Sequence, residues 1–210
     1  LGDIVDDETW GMLAAIHEYY ASRFAAMAPK SGIYTNTQME ENAWTSLGLA
    51  SVECLLRDHP SAAAFSDAVR RWMFLTVTTP QDTKDHALFG GRAIRQRVGE
   101  TFTALPDYWT ENHGMIHPTY TASCLELLNT IGVVYGVHGR SLPEEALYNR
   151  RKVYDHLKKV TERHGYMHPV QDMDWPYLSP DPGTQVHSAA AVCLRDPDGA
   201  RFERRALETL

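Results

Sequence analysis

The strongest constraint on this fold is the alternation of two kinds of helical pattern along the chain. Some segments carry apolar residues on one face only, as surface helices do: 8–27, 61–78 and 143–163. Others are apolar on nearly every face, which is typical of buried helices: 39–58, 118–137 and a segment that begins at Thr184. A final helix is predicted from Ala200. The two kinds alternate, so each buried segment follows a surface segment.

The connections between these segments alternate as well. Links from buried to surface segments are short, whereas links from surface to buried segments are long: 29–38, 79–110 with one short helix near 92–98, and 164–183. Stacked antiparallel hairpins make their buried helices parallel, so all the long links emerge on one face. Asn42 and Asn112, which hold equivalent places in successive units, lie 70 positions apart (112 − 42).

This pattern predicts an all-α fold built as an α/α toroid-type repeat of helical hairpins, with no competing strand-like alternation. A closed ring of six hairpins needs about 350 to 400 residues. The 210 residues are therefore expected to form a single helical domain, a partial or open ring, within a longer chain.

Composition limits the classes of partner. A net charge of −7 argues against general binding to nucleic acid or anionic membranes, and no apolar run reaches the ~18 residues that span a bilayer. We expect a soluble chain; it shows no signal peptide, although a mature chain or a fragment would lack one too. Cys54, Cys124 and Cys193 have no CxxC spacing and are expected to be buried free thiols.

The chemistry is concentrated in the segment 109–120, which places a carboxylate, an amide, two imidazoles and a phenol just before a buried helix. An amide beside an imidazole at a helix N-terminus, as in Asn112 and His113, can hold and neutralise a substrate carboxylate. A nearby tyrosine or histidine could then remove the acidified C–H proton. The groups available for that step are Tyr120, His117, Tyr166 and His168. The alternative is an ordinary loop, with Asn112 forming a turn and His113 acting as a structural donor.

Further candidates lie at the other long links. Trp109, Trp175 and Tyr177 offer aromatic faces for stacking sugar rings, and Asn42 and Trp44 begin the first buried helix. A basic cluster suits a uronate or sulfate group or is equally a solvated loop: Lys84, Arg92, Arg95 and Arg97. The predicted substrate-binding residues are Asn42, Trp44, Arg92, Trp109, Glu111, His117, Asp174, Trp175 and Tyr177.

Asn112-His113-Gly114, placed before a buried helix of an α/α repeat, resembles the Asn-His-Gly of heparinase II/III-type and alginate polysaccharide lyases. The resemblance implies an α/α toroid joined to a β-sandwich domain, with the asparagine and histidine neutralising a uronate carboxylate. It also implies a tyrosine roughly 55 residues later as base and acid, which falls close to Tyr166 and His168. The family often continues with an aromatic pair and a glutamine, whereas this chain continues from Met115 to Tyr120, and no β-sandwich is contained in these residues.

Three functions remain open at this point. The first is a polysaccharide lyase that cleaves a uronic-acid-containing polysaccharide or oligosaccharide by β-elimination without a cofactor, secreted or periplasmic if the resemblance holds. The second is an α/α glycoside hydrolase using Glu111, Asp172 or Asp174 as acid and base. The third is a non-catalytic helical repeat that binds a glycan or peptide. No metal site is expected, because Pro118 prevents a helix through His113 and His117 and no HExxH pattern occurs.

Overall fold

Helices make up most of the molecule in this computed structural model, which describes residues 4–32, 36–168 and 183–209. The all-α prediction is confirmed. The eight α-helices of the described residues are α1 (Asp7–Ala26), α2 (Met39–Leu55), α3 (Ala62–Phe74), α4 (Ile94–Val98), α5 (Pro118–Val137), α6 (Arg150–Leu157), α7 (Thr184–Val192) and α8 (Pro197–Thr209). Short 3-10 turns occur at Asp82–Lys84, Glu144–Leu147 and Lys158–Val160.

The helices with all-round apolar sequences form the inner row of the fold. They pack in the order α2, α5, α7, while α3, α6 and α8 each cover the inner helix that precedes them. Leu49 of α2 and Leu125 of α5 are completely buried in the main core. Burial of each such side chain contributes about 1.5 to 3 kcal/mol, so the inner row supplies much of the stability.

The hydrogen bonds at the two ends of α2 and α5 show that these helices run in the same direction. Just before their first turns, the Thr37 hydroxyl donates to the Glu111 carbonyl oxygen at 2.7 Å. Near their last turns, the Tyr135 hydroxyl donates to the Glu53 carboxylate. We call the end where both helices begin the rim, defined by residues 37–44 and 111–120.

The outer helix α3 runs in the opposite direction to α2. Its first half contacts the last turns of α2, where the Ser66 hydroxyl donates to the Glu53 carboxylate at 2.7 Å. Leu75, the residue directly after α3, contacts the first turn of α2, where the Asn42 amide donates to the Leu75 carbonyl oxygen at 3.3 Å. The pair α2–α3 is thus an antiparallel hairpin.

The segment 143–163, predicted as one surface helix, is broken. A 3-10 turn ends at Leu147, Tyr148 is extended with φ −57° and ψ 126°, and Asn149 is left-handed with φ 56°. Only then does α6 begin, and another 3-10 turn follows it. Arg150, a charged residue in a segment predicted as a surface helix, is 2% exposed and packs inside the molecule.

Two minimal hairpins, not predicted from the sequence, interrupt the long link between α3 and α5. Strands β1 (Leu88–Phe89) and β2 (Arg92–Ala93) pair across Gly90-Gly91, and β3 (Glu111–Asn112) pairs with β4 (Met115–Ile116). The second hairpin leads directly into α5, where Pro118 occupies the first turn without losing a hydrogen bond.

Helix α1 is less buried than its amphipathic pattern predicts. Ala21 is its one buried residue, and Ile16 is 64% exposed. None of the described helices is both long enough and apolar enough to cross a membrane.

Candidate functional site

The Asn-His-Gly segment forms the tip of the hairpin β3–β4. Asn112 pairs with Met115, which leaves His113 and Gly114 as a two-residue turn with φ 55° and 83°. Two successive residues at positive φ are what a type I′ hairpin turn requires, and histidine tolerates this region better than most residues. The turn presents the His113 ring at the exposed tip while Asn112 is 3% exposed beneath it.

Three rings meet where this hairpin joins α5. The Tyr120 ring lies with its centroid 5.6 Å from that of His113 and 4.4 Å from that of His117, edge-on to both. His117 is fully buried directly before α5, and Tyr120 is 7% exposed in its first turn. A phenol between two imidazoles is a suitable arrangement for moving a proton, since all three groups can donate and accept.

The side chain of Asn112 is buried in the hairpin that carries His113 at its tip. Among the described residues, no hydrogen-bond donor reaches its buried Oδ1 atom. Buried amide oxygens are nearly always hydrogen-bonded in folded proteins. The position therefore has acceptor capacity that the described protein does not use.

The first turn of α2 faces the hairpin tip. Burial raises the pKa of the Glu40 carboxyl, and a hydrogen bond from Trp44 and the charge of His113 act in the opposite direction. The Trp44 indole donates to Glu40 at 3.2 Å, and its ring is 56% exposed. Trp44 and His113 are thus both open to solvent on the two sides of the rim.

Glu40 was not among the residues predicted to form the site. The available signal was the i, i+4 spacing of Glu40 and Trp44, which puts a carboxylate and an indole on one helix face.

Glu111 has a structural role in the hairpin. Its carboxylate accepts one hydrogen bond from the Gly114 amide at 2.9 Å and another from the Asn36 amide at 2.5 Å. The side chain is buried and holds the hairpin against the segment that leads into α2. With both carboxylate oxygens occupied by backbone groups, Glu111 is poorly suited to act as the acid or base of a hydrolase.

Asn42 lies in the interior, away from the open face of the rim. It is fully buried, donates to the carbonyl oxygens of Lys30 and Leu75, and accepts from the Lys30 amide. These bonds position the loop before α2, so the predicted contact with substrate has no support at this residue.

Tyr166 and His168 belong to a turn after α6 in which Thr161 pairs with Met167. His168 forms an ion pair with Glu162, and the Tyr166 ring stands edge-on to His164 at 5.1 Å. Within the described residues, these partners lie in the same turn and not at Asn112 or His113. The tyrosine whose ring contacts His113 is Tyr120.

The remaining predicted residues lie in three places. Trp109 is half-buried with its ring 6.0 Å from that of His156 in α6. Arg92 is exposed on β2, outside the rim. Asp172, Asp174, Trp175 and Tyr177 lie outside the described residues.

The thiols do not contribute to this site. Cys54 and Cys124 are buried and Cys193 is half-buried, all free. Burial raises the pKa of Cys124 to about 11, so it remains a protonated thiol at neutral pH.

Searches of protein-family models, of characterised proteins and of solved structures found no match to this chain.

Proposed function

We propose that the chain is part of an α/α toroid-type enzyme whose rim cleaves an acidic polysaccharide. The proposed repeat units are the hairpins α2–α3, α5–α6 and α7–α8, arranged as a partial or open ring. The side-by-side packing of α2, α5 and α7 and the shared direction of α2 and α5 support this arrangement. It is the geometry in which successive loops are delivered to one end.

The proposed reaction is β-elimination at a uronic acid residue. The observation that supports it is the contact of the Tyr120 ring with the rings of both His113 and His117, in the hairpin and helix start that also carry Asn112. Trp44, exposed across the rim, provides a face on which a sugar ring can stack.

In the proposed mechanism, Asn112 and His113 bind the uronate carboxylate and neutralise its charge, which makes the adjacent C5–H more acidic. Tyr120 accepts the C5 proton, the C5 electron pair forms the C4–C5 double bond, and the C4–oxygen bond breaks. The leaving oxygen then takes a proton from the same group of rings. The proposed elimination, written in this way, requires no metal or cofactor.

The assay is digestion of uronate-containing polysaccharides, followed by near-ultraviolet absorbance of the unsaturated product and by reducing-end release. His113→Ala is expected to lower kcat about 100-fold or more, because it removes a group that acts on the reacting carboxylate. His138→Ala is the matched control, since this exposed histidine lies at the opposite end of α5 and should leave kcat unchanged.

Each alternative gives a different result. Reducing ends without near-ultraviolet absorbance would replace the lyase with a glycoside hydrolase. Binding without any turnover, unaffected by His113→Ala, would make the chain a binding repeat. Tyr120→Phe, with Tyr19→Phe as the exposed control, separates loss of the phenol from loss of a tyrosine in general.

A further inference from the structure

A second concave surface lies outside the rim, between α3 and the segment that contains β2 and α4. It is a cleft of about 520 Å³ in which arginines outnumber acids by four to two. We call it the arginine cleft, and its charged lining residues are Arg70, Arg71, Arg92, Arg97, Asp67 and Glu145. In a chain of net charge −7, this local excess of positive charge is unusual.

Two of the four guanidinium groups are used by the fold. Arg71 donates to the carbonyl oxygens of Ala25 and Met27 at 2.9 and 3.1 Å, which caps the end of α1. Arg97 pairs with Glu145 at 3.1 Å and stacks on Phe74 with 4.2 Å between the guanidinium carbon and the ring centroid. These contacts position the walls of the cleft.

The other two guanidinium groups are available. Arg92 is exposed, and its guanidinium forms no hydrogen bond or ion pair with another described residue. Arg70 is 44% exposed, and its nearest carboxylate oxygen, on Glu145, is 3.8 Å away, beyond hydrogen-bond distance. With Arg97 paired to Glu145, the remaining charged lining residues are Arg70, Arg71, Arg92 and Asp67, which leaves a net charge of +2 (3 − 1).

The geometry points to a binding site for an oxyanion group of an acidic oligosaccharide, held by Arg70 and Arg92. A guanidinium presents a planar fork of N–H donors that matches a carboxylate or sulfate with two parallel hydrogen bonds. Arg71 and Arg97 fix the walls, so the two free forks project from defined backbone positions. The identity of the ligand as a glycan rests on the proposed function, whereas the binding of an anion does not.

The test is isothermal titration calorimetry of the whole chain carrying His113→Ala, which prevents turnover during the measurement. The probes are a sulfated hexasaccharide, an unsulfated uronate hexasaccharide, a neutral cellohexaose and a single-stranded DNA hexamer. The double variant R70A/R92A is compared with R57A, since Arg57 is also an exposed arginine, paired with Asp58 away from the cleft.

The acidic hexasaccharides are expected to bind, and R70A/R92A should raise Kd about tenfold while R57A leaves it unchanged. R70K/R92K should recover only part of the affinity, because lysine retains the charge without the fork. Equal affinity for cellohexaose, tighter binding of the DNA, or an unchanged Kd in R70A/R92A would each overturn the inference. Turnover of a uronate polymer by the chain with intact His113 is scored separately, so failure of the arginine cleft is distinguishable from failure of the proposed function.

Discussion

Arg150 provides the sharpest test of the packing, because it is a buried charge with no acidic partner among residues 4–32, 36–168 and 183–209. The residue is 2% exposed, and among the described residues its Nε and Nη1 atoms have no hydrogen-bond acceptor. Burial lowers the pKa of its guanidinium, and the neighbouring Cys124 thiol opposes this only partly. A buried cation without an anion is destabilising unless hydrogen bonds compensate it.

Arg150→Met should therefore stabilise the fold. Each unsatisfied buried donor costs about 1 to 3 kcal/mol, and replacing buried charges by apolar residues of similar volume has gained about 1 to 4 kcal/mol in other proteins. We expect the free energy of unfolding to rise by about 1 to 4 kcal/mol, measured by urea denaturation followed by circular dichroism, with an unchanged m-value.

Arg140→Met is the matched control with the opposite expected sign. Arg140 donates to the Glu53 carboxylate at 3.0 Å and to the Glu53 carbonyl oxygen at 2.8 Å, and its side chain is 36% exposed. Its removal leaves a buried carboxylate with fewer donors and should cost about 2 to 4 kcal/mol. If Arg150→Met instead lost more than about 1 kcal/mol, the guanidinium would have a compensating partner and the reasoning would be wrong.

Three further outcomes are expected. Tyr135→Phe removes the hydroxyl that donates to the buried Glu53 carboxylate and should lower the free energy of unfolding by about 1.5 to 3 kcal/mol. Gly114→Ala puts a Cβ at φ 83°, which should cost about 1 to 2 kcal/mol. His187 is fully buried, and burial lowers its pKa. Its unfolded form therefore binds a proton first, and stability should fall as the pH drops below about 6.5, a dependence that His187→Gln should reduce.

The controls for these outcomes are direct. Tyr19→Phe, on the exposed face of α1, should change stability little. Gly91→Ala, another glycine at positive φ with open space around it, should match Gly114→Ala, because both costs come from the backbone. If the free energy of unfolding of His187→Gln varied with pH in the same way as that of the original chain, groups other than His187 would cause the loss of stability at acidic pH.

The helices of the inner row could be predicted because all-round apolar sequence reports burial directly. The pattern for 118–137 agrees with α5 at both ends, since Pro118 begins the helix and Gly139 follows it at φ 65°. The break before α6 could not be predicted in this way. It depends on the left-handed conformation of Asn149, whose amide donates to the Val77 carbonyl oxygen 72 residues away. The burial of Arg150 could not be predicted for a similar reason. An arginine is expected to be exposed from its residue type, whereas here the packing between helix layers buries it.

In the candidate site too, features set by local sequence could be predicted and features set by long-range contacts could not. His113, His117 and Tyr120 are close in sequence, so a hairpin turn followed by a helix suffices to bring their rings together. Glu111 was predicted as a functional acid, yet its carboxylate is held by an amide 75 residues away. Such a long-range contact with the backbone leaves no pattern in the neighbouring sequence. A structural carboxylate and a catalytic one therefore cannot be told apart from the sequence.

The hydrogen bonds between α2 and α5 at both of their ends have a consequence for the rigidity of the rim. The two helices are tied at the rim through Thr37 and at the far end through Glu53, so neither can slide or tilt without breaking buried hydrogen bonds. The backbone at the rim is therefore held in place by the same hydrogen bonds that hold the core together. For the proposed function, this means that the groups meant to contact a substrate are positioned before it binds, with no rearrangement of α2 against α5.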